Sequence, residues 1–320
     1  MRIISREDID SHYSMEECID SVKDAFALFS KGKVQVPLRT QIKNGEGSGT
    51  YLCMPAYCQE YNASCVKLLN MFPGNVQQGL PAIHAQVFVM DAKSGVINGM
   101  IDGNYLTQLR TGAASGAAFK LLAKKKCEIG ALIGTGAQAA AQLEAMLIAK
   151  KLKEVRIAGL DFKRTQAFVA DMQQKMQHFP TKILAVSDAN TAVEQADLIV
   201  TVTSSQNPVF DGKRVKKGAT ISAVGSYQPH MQEIPAEVLT RASKIYFDSQ
   251  EAVLSESGDI LVPLSLGIIK EEQFTGEIGQ VINGELVSRE NAEEIILFKT
   301  VGIAAQDLIV AQAIFDKVTN

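Results

Sequence analysis

The chain has 320 residues, 46% apolar and 21% charged, with a formal net charge of -3 at pH 7. These totals fit a folded globular protein of about two domains and exclude collagenous, low-complexity and disordered classes. The acidic balance, broken only by the short basic run at 124–126, excludes a nucleic-acid footprint, while the charged opening MRIISREDID and the lack of a long apolar run lead us to expect a cytoplasmic protein with no membrane span.

The first element is SMEECIDSVKDAFALFSKG. Its apolar residues recur at helical spacing, Ser14 and Glu17 form a capping box, and Gly32 supplies a stop. GTYLCMPAY, ASCVKLLNMFP and IHAQVFVMDAKSGVINGMID then read as short strands, with DAKSG as a hairpin turn, so an α+β unit is expected here. Five cysteines, Cys18, Cys53, Cys58, Cys65 and Cys127, are odd in number and form no CxxC pair, which fits free thiols in a reducing compartment. His12, His84, His178 and His230 are scattered, and no metal site is expected.

LTQLRTGAASGAAFKLLA places Arg110 at the head of a run of glycine, alanine and serine. Small residues predict a helix lying close against other backbone, and a guanidinium buried there needs a protein carboxylate or an anionic ligand. From CEIGALIGTG onward the pattern changes. IGALIG, EVRIAGLD, KILAVS, DLIVTVTS, ATISAVGS and SKIYFDSQ are apolar strands alternating with helical stretches, the mark of a doubly wound parallel sheet. NAEEIILFKTVGIAAQDLIVAQAIFDKV returns to helical periodicity and is expected to pack back on the first domain. The fold class is therefore α/β: a Rossmann-type doubly wound domain over 124–295, plus an α+β domain over 1–123 with 296–320.

Gly134, Thr135, Gly136, Ala137, Gln138 and Ala139 form a G-x-G-x-x-A turn between an apolar strand and a helix. The first glycine makes the turn, the second lets backbone approach a pyrophosphate, and the small third residue packs helix on strand. Among six strands, this predicts a dinucleotide site. The acidic residue that would select NAD is displaced: Gly159 stands in the preferred register and Asp161 comes slightly late. Lys163 and Arg164 are near enough to meet a 2′-phosphate, so NAD(P)H is expected with a lean to NADPH. Thr201, Thr203 and Ser204 in TVTSS, with Gly225, follow the carboxyl ends of strands, where ligands sit in open sheets.

With LRTGAASGAA, IGTGAQA, VGSYQPHMQEI, FDSQEAVLSESGD and ILFKTVGIAAQDL in this order, the chain resembles the ornithine cyclodeaminase/mu-crystallin family from end to end. The resemblance implies an N-terminal substrate-binding and dimerisation domain, a nicotinamide-binding domain, a homodimer, and a small amino acid or cyclic imino acid as substrate. Its basic carboxylate anchors map onto Arg39, Lys67 and Arg110. Three cations with no acid between them would repel, so a bound carboxylate is expected to complete the cluster.

One departure bears on chemistry. The cyclodeaminases' G-x-D-x-P aspartate is replaced here by Tyr227 in GSYQP, and a phenol is a poor general base at neutral pH. Imine reduction asks less: a hydride reaches C2 of a cyclic ketimine and a proton reaches nitrogen from Lys67, Tyr227 or water. The expected activity is an NAD(P)H-dependent ketimine reductase acting on 1-pyrroline-2-carboxylate and its six-membered homologue, giving L-proline and L-pipecolate. Ornithine cyclodeaminase, alanine dehydrogenase and a nucleotide-dependent small-ligand binding protein are the rivals. Asp248, Glu256 and Asp259 are expected to cap helices or fix loops, His230 to lie on an exposed loop, and 298–302 to close over the coenzyme or support an interface.

Overall fold

The structure is a computed structural model that describes residues 1–45 and 48–319. Its strands are β1 (Arg2–Ile4), β2 (Val34–Gln35), β3 (Thr40–Lys43), β4 (Thr50–Cys58), β5 (Ala63–Met71), β6 (Ile83–Asp91), β7 (Ile97–Asp102), β8 (Ile129–Ile133), β9 (Glu154–Ala158), β10 (Lys182–Ala185), β11 (Leu198–Thr201), β12 (Thr220–Ala223), β13 (Lys244–Phe247), β14 (Gly276–Glu277) and β15 (Ile296–Lys299). Its helices are α1 (Arg6–His12), α2 (Met15–Ser30), α3 (Gly103–Leu122), α4 (Ala139–Ala149), α5 (Phe162–Lys175), α6 (Ala189–Val193), α7 (Ala236–Arg241), α8 (Gln250–Glu256), α9 (Gly258–Ser265), α10 (Ile278–Ile282) and α11 (Ala304–Thr319). The chain divides into two units, Met1–Arg110 with Ile303–Asn320, and Thr111–Gly302.

In the first unit α2 forms as its capping box dictates: Ser14 Oγ accepts from the Glu17 amide and Glu17 Oε2 from the Ser14 amide. Gly32 ends the turn at φ +68°. The sheet runs β1-β7-β6-β5-β4-β2, with β3 also on β4, antiparallel except for β1 on β7. Alternation decides its faces. Leu52, Met54, Ala56, Cys65, Lys67, Val87 and Ile101 are buried on the side that meets α11, whereas Tyr51 and Leu68 are exposed on the other. The DAKSG hairpin turns at Gly95, φ +73°, with Asp91 Oδ1 accepting from the Lys93 and Ser94 amides.

The second unit is an eight-stranded sheet in the order β10-β9-β8-β11-β12-β15-β13-β14, parallel throughout. The six predicted strands all form. The helical reading of 296–299 does not hold: these residues are β15, inserted between β12 and β13. Ile296, Leu297, Phe298 and Lys299 are all fully buried, and a strand buried on both faces carries no alternation to tell it from a helix. The second division consequently falls at 302/303 instead of 295/296, and the first lies within α3 at 110/111 instead of 123/124.

The small residues of α3 have a steric cause within this unit. A Cβ on Gly112 would collide with the carbonyl of Ala141 in α4. Gln142 on that helix donates to the Thr111 carbonyl at 2.9 Å, and Ser115 shares a 2.7 Å hydrogen bond with Ser222 of β12. Phe119 joins Leu132, Leu143, Met146, Ile157 and Val200 in the core below.

Candidate active site

In the first unit, three of the charged side chains that matter are taken out of water. Lys67 points inward from β5 and is 1% exposed; Arg110 is buried on α3; Asp307, in the first turn of α11, is wholly buried. Lys67 Nζ lies 2.7 Å from Asp307 Oδ2, and Arg110 Nε donates to Oδ1 at 3.0 Å. The expectation that no protein acid stands among the cations is thus corrected. Asp307 had a readable signal: an aspartate inside the apolar run AAQDLIVA, which no isolated buried carboxylate could tolerate.

The balance nonetheless stays positive, because two cations share one carboxylate and Arg39, half-buried on the segment before β3, adds its charge to Lys67's surroundings. Burial, with repulsion from Arg110 and Arg39, pushes the Lys67 ammonium down to a pKa of about 8, against the upward pull of Asp307. Burial alone would raise Asp307, yet Lys67 and Arg110 outweigh it and hold the carboxyl below its ordinary value. The neighbouring Cys65 thiol is pushed far up by burial and stays protonated. Arg110 engages Asp307 through Nε alone, so the Nη edge of its fork is not used in that pair.

In the second unit Gly134 adopts φ +116° and is packed against the Val202 carbonyl, where a Cβ could not enter. Gly136 is the opposite: a Cβ there would meet nothing within 4 Å. Thr135, Gly136 and Ala137 form the turn, and α4 then begins after Gln138 without a side-chain cap, so its first amides are free of side-chain partners. Gln138 Oε1 is buried and has no hydrogen-bond partner. An open glycine face before an uncapped helix N-terminus fits a dinucleotide pyrophosphate.

Gly159 follows β9 directly, and a Cβ there would press on Thr165 Oγ1 at 2.7 Å. Asp161 N-caps α5, accepting from the Arg164 amide at 3.1 Å. Lys163 and Arg164 are exposed on the first turn of α5.

The strand-end residues converge on a carboxylate that sequence reasoning missed. Glu233, fully buried, accepts from the Thr203 amide at 2.5 Å, the Gly225 amide at 2.6 Å and Thr201 Oγ1 at 3.1 Å. Thr203 Oγ1 accepts from the Ser205 amide, and Ser204 is exposed. A Cβ on Gly225 would strike the Thr203 backbone, which is why glycine stands there. Burial, reinforced by Asp259 and opposed by Lys299, raises the Glu233 carboxyl to about 7.

Asp259 accepts from the Glu233 and Ile234 amides and pairs with Lys299 at 3.1 Å. Asp248 binds Thr300 Oγ1 at 2.6 Å and the amides of Ser249, Val301 and Gly302. Both acids therefore fix loops. Residues 298–302 are the end of β15 and a buried turn with Gly302 at φ +78°. Tyr227 is half-buried after β12, and His230 is exposed.

A parallel doubly wound sheet with an open glycine turn before a helix defines a nucleotide-binding fold of the dehydrogenase class, here accompanied by a second unit built around a cation-rich cluster. The chain belongs to the ornithine cyclodeaminase/mu-crystallin family, whose profile matches residues 1–320. It is 35% identical over 317 residues to a Delta(1)-pyrroline-2-carboxylate reductase of Bacillus cereus, covering 99% of this chain and 96% of the relative. The solved Delta(1)-pyrroline-2-carboxylate reductase of Thermococcus litoralis, in complex with NADH and L-proline, superposes with a TM-score of 0.94 at 35% identity, covering 100% of this chain and 98% of that one. An archaeal alanine dehydrogenase dimer with bound NAD gives 0.91 at 33% identity, covering 100% and 96%.

Proposed function

We propose that the protein reduces the C=N bond of a cyclic ketimine carboxylate, 1-pyrroline-2-carboxylate and its six-membered homologue, to L-proline and L-pipecolate with NAD(P)H. The observation that carries this reading is the sharing of one buried carboxylate, Asp307, by Lys67 and Arg110, which leaves a positive site for one further anion. Arg110 and Arg39 receive the substrate carboxylate, Arg110 through its Nη edge. The coenzyme, when bound, supplies the hydride for C2. Lys67, protonated at neutral pH with its pKa at about 8, gives the proton that the ring nitrogen takes up.

Tyr227 in the place of the cyclodeaminase aspartate supports reduction over cyclodeamination, since a phenol is slow to take protons from an α-ammonium near neutrality. The pyrophosphate is assigned to Gly134–Gln138 and the ribose and nicotinamide end to the loops of Thr201, Thr203, Ser204 and Gly225. Gly159 in place of an acid, with Asp161 engaged as a cap and Lys163 and Arg164 exposed beside it, favours NADPH. The exposed apolar residues Tyr51 and Leu68 on the outer face of the first unit's sheet favour a homodimer.

The test is a panel of pyrroline and piperideine carboxylates, pyruvate with ammonia, and ornithine, each with both reduced coenzymes. The expected result is coenzyme oxidation with the two cyclic imines and preference for NADPH, lost when Lys163 and Arg164 are both replaced by Ala. Turnover confined to pyruvate and ammonia would make the protein an alanine dehydrogenase. Ammonia released from ornithine without net coenzyme change would make it a cyclodeaminase, and tight coenzyme binding without any turnover a binding protein.

A further inference from the structure

We infer that Asp307 is a positioning residue of the reaction: through its two oxygens it fixes Lys67 and Arg110 together and supplies the negative charge that keeps the Lys67 proton in place. The inference rests on the reductase reading above, with Lys67 as proton donor, and adds a residue from the end of the chain that acts only through others.

Geometry divides the carboxylate evenly. Oδ2 faces Lys67 on β5 and Oδ1 faces Arg110 on α3, so loss of the one group releases both cations at once. The carboxylate is itself held, because the adjoining Gln306 is fully buried, donates to the Arg110 carbonyl at 3.4 Å and accepts from the Ile303 amide at 3.1 Å. The first turn of α11 is thus lashed to the residue it serves.

The charges acting on Lys67 give the electrostatic half. Burial, Arg110 and Arg39 all drive its proton off, and Asp307 opposes them. Cys65, which faces both Lys67 and Asp307, is kept un-ionised by burial and adds no charge. Among the described residues, Asp307 is the one carboxylate within ion-pair distance of either cation. Without it the ammonium is left with burial and two repelling guanidiniums.

The experiment compares pH profiles of kcat/KM for the cyclic imine in the wild type, Lys67→Met, Asp307→Asn and Asp307→Glu. Loss of a Lys67 proton produces the descending limb at high pH. Asp307→Asn is expected to move that limb to lower pH by about one unit or more, so that activity at pH 8 falls about fivefold or more further than at pH 6. Asp307→Glu should bring the limb back toward its wild-type position. A limb unmoved in Asp307→Asn, with the rate reduced equally at every pH, overturns the inference and leaves Lys67's role standing.

A Lys67→Met enzyme with unchanged rate and limb overturns both. If Asp307→Asn alone does not fold, the double variant Lys67→Met/Asp307→Asn, which removes a cation with the anion, carries the test. Its kcat should equal that of Lys67→Met, and a further loss of about tenfold or more overturns the inference.

Discussion

Truncation separates the two cations by role. Arg110→Ala is expected to raise KM for the imine by about 100-fold while kcat changes little, because a carboxylate clamp acts on ground state and transition state alike. Lys67→Ala should lower kcat by about 100-fold or more and leave KM nearer its wild-type value, as loss of a proton donor does. Steady-state kinetics at saturating coenzyme checks both, and wild-type values after either change would discard that assignment. Each substitution still leaves Asp307 one counter-ion, so neither should unfold the chain. Arg110 stood out by its local pattern, and Lys67 came only with the family resemblance. Asp307 is marked in the sequence only as an acid within an apolar run, and its pairing could not be read there, since it lies 197 residues beyond Arg110 and only folding makes them neighbours.

At the scale of elements, Glu233 ties the ends of β11 and β12 together, and its chemistry gives a sharp expectation. Glu233→Gln keeps the shape but turns an amide N–H toward one of three donors: the Thr203 amide, the Gly225 amide or Thr201 Oγ1. The hydroxyl can rotate, whereas the backbone donors cannot, and both oxygens of the carboxylate receive one. A clash of donors in a buried site costs about 1–3 kcal/mol, so a lowered Tm and weaker coenzyme binding, read by calorimetry and fluorescence titration, are expected together. Undiminished coenzyme affinity would remove Glu233 from the binding apparatus. The capping box of α2, the hairpin turn and the glycine turn were all readable beforehand, because short-range hydrogen bonding and φ requirements write themselves into a few adjacent residues. The segment ILFK was not readable as β15, since full burial on both faces erases periodicity, and Glu233 gave no signal because its partners come from two other loops.

For the whole molecule, assembly is the property that the first unit's outer sheet face bears on. Leu68 is 44% exposed there, and Leu68→Lys is expected to convert the proposed dimer into a monomer of unchanged helicity, as judged by light scattering and circular dichroism. A wild type that is monomeric at micromolar concentration would rule that face out as an interface. The two-unit plan was legible from the change of pattern near residue 124, but its edges were not, because α3 passes the first division without a break in helical spacing. The order in which a ribosome delivers these pieces has its own effect. The strands carrying Lys67 emerge early, while the helix that covers them follows only after the entire nucleotide fold has been translated. A nascent chain stopped before residue 303 therefore owns every strand of both sheets and still presents a bare apolar surface, which makes that late interval the one in which chaperones have most to guard.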